Sequence, residues 1–315
     1  MKNSAIVVSL ALATVLAAPA FSQNDGLEGQ GRAVVTVLPK KDSAGPVSVT
    51  AQDISLKIDG KLAKITAFKP IQSPENNIEL VLLLDNASRS SLGTQFGEIE
   101  SFVKSLPPNV KAAIAYMQNG QATFTGPLSA DHTQVLRALH LPAGMVGVNA
   151  SPYFCLSDLA KRWPPQDQAA RRVVVMVTDG VDPYALRYDP ENPYLQAAIS
   201  DAARAHLVVY SIYWGGRGSG GNRRYGNMAG QNYLSEVTQA TGGKSFWMGM
   251  GNPVSFQPYF DELIRRFRNQ YVLDFTTGLT GKPQIEEMRL KFSAPNAEVN
   301  SPQKVLVYPA AFAQN

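Results

Sequence analysis

Two unbroken apolar runs, each closed by an aspartate, stand out in the hydrophobic pattern. Ile78 to Asp85 reads IELVLLLD and Val173 to Gly180 reads VVVMVTDG. A short continuous apolar run suits a strand buried on both faces of a parallel sheet. In an open α/β sheet, ligands bind beyond the carboxyl ends of the strands. Asp85 and Asp179 are therefore expected at one functional edge.

Strand and helix patterns alternate around these runs. Leu80–Leu84 predicts a strand. Leu92, Phe96, Ile99, Phe102, Val103 and Leu106 mark one face of a helix, which Pro107-Pro108 ends. Val110–Met117 predicts a strand with Ala122–Thr125 as hairpin partner, and a helix follows around Asp131–Leu139. Tyr153–Trp163 predicts a helix stopped by Pro164-Pro165, then the strand Val173–Val177. A helix through Leu195, Ile199, Ala202 and Ala203 precedes the strand Leu207–Tyr213. Gly215–Gly230 is rich in glycine and arginine and reads as a loop. After it come a helix Tyr233–Ala240, a short strand Ser245–Trp247, and an amphipathic helix through Phe256, Phe260, Leu263, Ile264 and Phe267.

Shorter strand patterns flank this core. Arg32–Leu38, Ile54–Ile58 and Ala63–Phe68 lead it, with Asp59-Gly60 as a hairpin turn between the last two. Tyr271–Phe275, Ile285–Phe292 and Lys304–Val307 follow it. The expected fold class is α/β: a three-layer, mostly parallel, doubly wound sheet of Rossmann-like type, with a smaller β element from the N- and C-terminal strands.

Length and composition sharpen this. The chain has 315 residues, 44% hydrophobic and 17% charged, which suits a globular protein. The net charge is +4, and no dense Lys/Arg stripe points to nucleic acid. Residues 1–22 read as a secretory signal: Lys2, an apolar stretch Ala5–Ala18, and the small-x-small site Ala20-Phe21-Ser22. No later run is long and apolar enough to span a bilayer. The expected divisions are the signal 1–22, a flexible leader 23–31, a β element 32–76, the α/β domain 77–277, and C-terminal strands 278–315 packing with the β element. Cys155 is the single cysteine, so an intrachain disulfide is excluded, and its apolar helical setting suits a buried small hydrophobe. The expected location is periplasmic or extracellular.

Several segments carry a family resemblance in order: AQDISLKIDGKLAKITAF at 51–68, ELVLLLDNASRSS, VVVMVTDG, LSEVTQATGGKSF at 234–246 and QYVLDFTT at 270–277. Together they resemble the von Willebrand factor A-type domain, in particular the bacterial branch often labelled acidobacterial VWFA-related. The resemblance runs from about Arg32 to Tyr308. It implies a metal-ion-dependent adhesion site, in which an Asp-x-Ser-x-Ser loop, a threonine from a second loop and an aspartate from a third hold Mg²⁺ while a partner's carboxylate completes the shell. Mg²⁺ asks for six oxygens in near-octahedral order.

Carried onto this chain, the resemblance places Asp85 first and Asp179 last. Ala87 and Arg89 stand where serines are expected, and Asn149 falls near the threonine position. Ala87 offers no ligand atom, and Arg89 adds a permanent positive charge. The expectation is that the Arg89 guanidinium bridges Asp85 and Asp179 in place of an ion, since arginine is shaped for carboxylate pairing. The alternative is a shifted set, in which Ser88 and Ser90 with Asp85 and Asp179 hold Mg²⁺ or Mn²⁺, helped by Asn149 or Ser151. Without the resemblance, both aspartates would read as turn or cap residues, with Ser91 as N-cap of the following helix.

The resulting expectation is an exported, non-catalytic binding module without a cofactor. Its partner would be a protein or a cell-envelope component, met along an edge that includes Asn86, Ser88, Ser90, Ser151, Tyr153, Asp182 and Tyr184. Two alternatives stay open: the metal-bridged adhesin, and a hydrolase using Asp85 and Asp179 with Cys155 or a histidine. His132, His140 and His206 have no metal-like spacing, and no G-x-S-x-G is present. Gly216 to Gly221 matches G-x-G-x-x-G, but no helix pattern opens on it, and a basic loop is the better reading.

Overall fold

The computed structural model describes residues 27–40, 49–71, 76–142, 150–164, 169–215, 223–249, 251–279, 281–294 and 296–309. Residues 1–22, expected to be a secretory signal, Asn149 and the Gly216–Gly221 motif lie outside them, as do the side chains of Arg89, Ser90, Arg223, Arg224 and Tyr225.

The chain opens with β1 (Leu27–Pro39), β2 (Ile54–Ile58), β3 (Lys61–Leu62) and β4 (Lys64–Pro70). Next come β5 (Ile78–Asp85), a 3₁₀ helix Asn86–Gln95, α1 (Phe96–Ser105), β6 (Val110–Gln118), β7 (Gln121–Phe124), α2 (His132–Arg137) and α3 (Pro152–Lys161). β8 (Arg171–Thr178), α4 (Pro193–Arg204), β9 (Leu207–Tyr213), α5 (Arg223–Ala240), β10 (Ser245–Phe246) and α6 (Gln257–Arg268) follow. The described residues close with β11 (Gln270–Leu279), β12 (Gln284–Phe292), β13 (Ala297–Asn300) and β14 (Lys304–Pro309).

Two sheets result. One has the order β10-β9-β8-β5-β6-β7 and is parallel except for the β6–β7 hairpin. All eight residues of β5 are buried, which is why its pattern is a continuous apolar run. Leu80, Leu82 and Leu84 pack with Ile99, Phe102 and Val103 of α1 and Phe260 and Leu263 of α6. Val81 and Leu83 pack with Leu156 of α3, Ala198 of α4 and Tyr233 of α5. The period-2 alternation of a strand thus feeds two separate helix-bound cores. Cys155 is buried in the second of them.

The other sheet is antiparallel, ordered β3-β2-β12-β14-β1-β11-β4, with β13 also paired to β1. It joins the leading strands to the trailing ones around Val35, Leu56, Leu273, Phe275, Met288 and Val307. β11, which carries the QYVLDFTT segment, hydrogen-bonds to β1 and β4 here. The molecule is therefore mixed α/β with two sheets, one parallel-rich and covered by helices. No helix of the described residues is long and apolar enough to cross a membrane.

Two buried arginines tie the sheets together at the end away from the carboxyl edge. Arg266 of α6 is fully buried and donates to Glu262 (2.9 Å), Asn300 (2.8 Å) and Glu298 (3.1 Å). Arg171 donates to the Phe267 carbonyl at 3.2 Å and to Gln270 and Asn76, and burial lowers its pKa to about 10.

Three expectations are corrected. Leu27–Gly31 of the predicted leader belongs to β1, whose Gly29 and Gly31 pair with both β11 and β14. A Cβ at Gly31 would stand 2.3 Å from the Phe275 ring, so the glycine serves close packing rather than flexibility. The C-terminal part of the predicted Gly215–Gly230 loop is helical, because α5 starts at Arg223. Ser91 is not a helix N-cap: the 3₁₀ helix begins on Asp85, while the Ser91 hydroxyl donates to the Ser88 carbonyl (2.6 Å) and accepts from Trp214 Nε1 (3.2 Å).

Candidate functional site at the carboxyl edge of the parallel sheet

β5 and β8 are neighbours, paired from Ile78 with Arg171 to Leu84 with Val177, so Asp85 and Asp179 do reach the same edge. Both are buried, at 1% and 3% exposure. Asp85 Oδ1 accepts the Ala87 N–H at 2.8 Å, and its Oδ2 accepts the Thr178 hydroxyl at 2.6 Å. Thr178 Oγ1 in turn accepts the Gly180 N–H at 3.1 Å, and Asp179 Oδ1 accepts the Val181 N–H at 2.9 Å. Each aspartate closes a local turn two residues on, the role that an Asp at a strand end takes without a ligand.

Thr178 is the residue that sequence reasoning missed. A hydroxyl on the strand beside Asp85, one position before Asp179, was its only signal.

Asp182 and Asn192 hold the loop after β8. Asp182 accepts from Tyr184 N (3.1 Å) and Asn192 Nδ2 (3.1 Å), and Asn192 Oδ1 caps α4 through Tyr194 N (2.9 Å) and Leu195 N (3.2 Å). Ser151 caps α3 by accepting from Tyr153 N. The Tyr153 hydroxyl donates to the Gly180 carbonyl at 2.8 Å, and burial, with Asp182 and Asp179 nearby, holds this phenol well above its ordinary pKa. Tyr233 of α5 donates to the Arg187 carbonyl at 2.9 Å and accepts from Asp189 N at 3.1 Å. α5 can lie this close because Gly230 faces the loop: a Cβ there would stand 2.2 Å from the Asp179 carbonyl oxygen. That close approach is why a glycine read as a loop residue sits inside a helix.

This geometry changes the expected contact edge. Asn86, Ser88, Ser151, Tyr153 and Asp182 are all buried, so they support the edge instead of presenting side chains to a partner. Local polar groups along a chain are consumed by turns and caps, and the sequence pattern does not reveal which. Of that expected set Tyr184 is displayed, at 49% exposure, and Ser90 lies outside the described side chains. Cys155 is buried in the helix-packed core, His132 bonds the Val110 carbonyl (2.8 Å) and His140 stacks on Tyr116.

The Asp-x-Ser-x-Ser pattern that the resemblance implies is incomplete in this chain, which has Ala87 and Arg89 at the serine positions. Ala87 is buried and supplies no oxygen from its side chain, and both Asp85 oxygens already accept hydrogen bonds. Among the described residues, no group of three or more His, Cys, Asp or Glu side chains is placed to hold a metal. Two buried oxygens, Ser88 Oγ and Asn86 Oδ1, have no hydrogen-bond partner among the described residues.

No family model matches the chain, and no curated protein matches it. Among solved structures it is similar to the conserved hypothetical protein BatB from Bacteroides thetaiotaomicron, at 18% identity and TM-score 0.45, over 61% of this chain and 98% of that one. An aerotolerance-related membrane protein from Bacteroides fragilis NCTC 9343 is similar at 15% identity and TM-score 0.44, over 61% and 98%. The manganese-loaded TRAP protein from Plasmodium vivax is similar at 12% identity and TM-score 0.40, over 75% and 97%. Likenesses this loose bear on neither ligand nor role. What the chain's own geometry shows is two Asp-tipped parallel strands side by side in a helix-covered, parallel-rich sheet.

Proposed function

We propose that the chain is an exported, non-enzymatic binding module that meets a protein or envelope component along the carboxyl edge of its parallel sheet, without a divalent ion. One observation carries this reading. Ten large hydrophobic side chains are exposed among the described residues, and nine stand at this edge. Leu141 lies against Gly93 of the 3₁₀ helix. Tyr184, Leu186 and Tyr188 are on the loop after β8, and Tyr194 opens α4. Met228 is near the start of α5, Trp247 and Met248 follow β10, and Val254 precedes α6. Leu62 is the exception. Aromatic and methionine side chains are enriched in contact surfaces, and a concentration of exposed apolar residues marks an interaction site.

The loops are also fixed in advance. Asn252 bonds both backbone groups of Gly215 (2.6 and 3.0 Å), Gln231 bonds the Gly249 carbonyl (2.7 Å), and Gln95 bonds the Val254 carbonyl (3.3 Å). Such preorganisation lowers the entropy lost on binding. Export is supported by the leader sequence, and the three-layer reading by the helix cores on the two faces of the sheet. We take β5 to α6 as the α/β domain and β1–β4 with β11–β14 as the β element, which moves β11 out of the expected 77–277 domain because it pairs with β1 and β4. Ion independence is supported by Ala87 and by the hydrogen bonds of Asp85; Arg89 as the stand-in cation is part of the same proposal.

The test compares partner capture from envelope extract by the wild type and by Trp247→Ser/Met248→Ser and Tyr184→Ala variants, with Mg²⁺ or EDTA. Capture lost in the variants and insensitive to EDTA is expected. Equal capture by all variants would overturn the edge, and loss in EDTA would overturn ion independence. A hydrolase screen of the purified chain, with Asp85→Asn as control, tests the non-enzymatic reading.

A second reading is favoured by the unpartnered Ser88 Oγ and Asn86 Oδ1, which a hard cation beside Asp85 would satisfy. A thermal shift with Mg²⁺ or Mn²⁺ that Asp179→Ala removes would establish it.

A further inference from the structure

One end of the edge is chemically distinct. Phe154 of α3, Tyr184 of the loop and Tyr194 of α4 form a three-ring cluster, with centroids 5.7, 4.7 and 5.8 Å apart. Tyr184 and Tyr194 remain 49% and 40% exposed. Aromatic faces carry negative potential and attract cations within about 6 Å of the ring centroid. Charge on the loop has the same sense. Asp189 and Glu191 are exposed, two carboxylates against the exposed Arg187 on the same loop, and Glu236 accepts the Tyr188 phenol at 2.7 Å.

The loop is already shaped for a contact. Asp182, Asn192 and Tyr233 clasp it from beneath, and Pro183, Pro190 and Pro193 restrict its backbone. A partner group that lands on the rings therefore orders little of this protein.

The geometry points to a Lys- or Arg-bearing extended segment of a partner polypeptide as the ligand of the Tyr184–Tyr194 end of the edge. This rests on the edge reading above and names the partner's chemistry. The surplus of carboxylates disfavours a phosphate-rich nucleic acid and an anionic lipid surface, both of which are drawn to basic patches. A purely apolar partner would leave Asp189 and Glu191 without a counter-charge at the rim.

The test is titration of the purified chain with a labelled Gly/Ser peptide carrying arginines, and with the same peptide carrying glutamines instead. The arginine peptide is expected to bind, with affinity falling as salt rises. Tyr184→Ala or Tyr194→Ala should weaken it about tenfold, whereas Tyr184→Phe, which keeps the ring face, should stay within about twofold. Asp189→Asn/Glu191→Gln should weaken binding and flatten its salt dependence. Equal binding of the glutamine peptide, or an unchanged affinity of Tyr184→Ala, overturns the inference. Absence of arginine-peptide binding while Trp247→Ser/Met248→Ser still abolishes envelope capture overturns this partner and leaves the edge reading standing. Absence of both overturns the two together.

Discussion

Replacing Thr178 by valine removes one hydroxyl from the centre of the site while keeping the side chain's shape. The hydroxyl does two things at once: it donates to Asp85 Oδ2 at 2.6 Å and accepts the Gly180 N–H at 3.1 Å. Thr178 is fully buried and Asp85 is 1% exposed, so water does not readily replace either bond. A hydrogen bond to a charged group contributes about 1.5–3 kcal/mol, and a buried donor left unpaired costs about 1–3 kcal/mol. The two share one oxygen and are not independent, so about 3 kcal/mol is a reasonable total. At roughly 2–4 °C per kcal/mol for a domain near this size, Tm should fall by about 6–12 °C. The assay is a thermal melt followed by circular dichroism, in EDTA and in Mg²⁺, with Thr178→Ser as control. Serine keeps the hydroxyl and should lose only the contribution of a buried methyl, about 1 kcal/mol. A drop below about 2 °C for Thr178→Val, or equal drops for valine and serine, would refute the view that this hydroxyl satisfies Asp85. A drop seen only in EDTA would mean that an ion, and not Thr178, carries the carboxylate.

Arg266→Met should destabilise the junction of the two sheets by about 3 kcal/mol, the low end for a broken buried ion pair because Arg265 still pairs with Glu262 at 2.8 Å; denaturant unfolding reads it. Gly230→Ala should push α5 away from the Asp179 carbonyl, and faster amide exchange confined to residues 179–192 and the start of α5 is the expected sign. Trp163→Phe leaves buried Glu79 without a 2.7 Å donor and should cost about 1–3 kcal/mol in the same unfolding assay. The Tyr188 phenol is pushed up to about 12, first by burial and then by its hydrogen bond to Glu236. A raised folded pKa gives stability that is complete below the unfolded value near 10 and lost as pH rises through about 12. Tyr188→Phe should therefore remove one slow-rising component from the phenolate absorbance titration and flatten the stability decline over that interval.

The parallel sheet was legible because burial on both faces leaves an unmistakable run. β5 and β8 contain no position where solvent forces a polar residue until the strand ends, so their pattern and the aspartates that close them could be inferred, while their pairing with each other could not. β3 and β13 escaped notice because two exposed residues, or four of which one is buried, have no period to detect. The antiparallel sheet was legible as strands, and less so as a sheet. Thr36 of β1 pairs with Gln270 of β11, 234 positions further along the chain, and only tertiary contacts specify it.

The site was legible in its anchors and not in its surface. Asp85 and Asp179 could be placed because a strand delivers them, but the neighbouring Asn86, Ser88, Ser151 and Asp182 look equally available in one dimension. Three dimensions sort Ser151 and Asp182 by a local rule. Asp85, Asp179 and Asp182 each accept the N–H two residues ahead, and Ser151 and Asn192 each cap a helix. A polar residue that can satisfy the backbone beside it turns inward at the ends of buried strands, where an unpaired N–H is costly. What remains to face outward is the set that cannot make such bonds: Tyr184, Leu186, Trp247, Met248 and Val254. In a sheet whose strands end in Asx turns, the apolar residues of the connecting loops are therefore the better guide to the contact surface than the polar ones. Tyr184 illustrates both halves of the rule: its N–H is bound by Asp182 at 3.1 Å, and its ring is left in solvent.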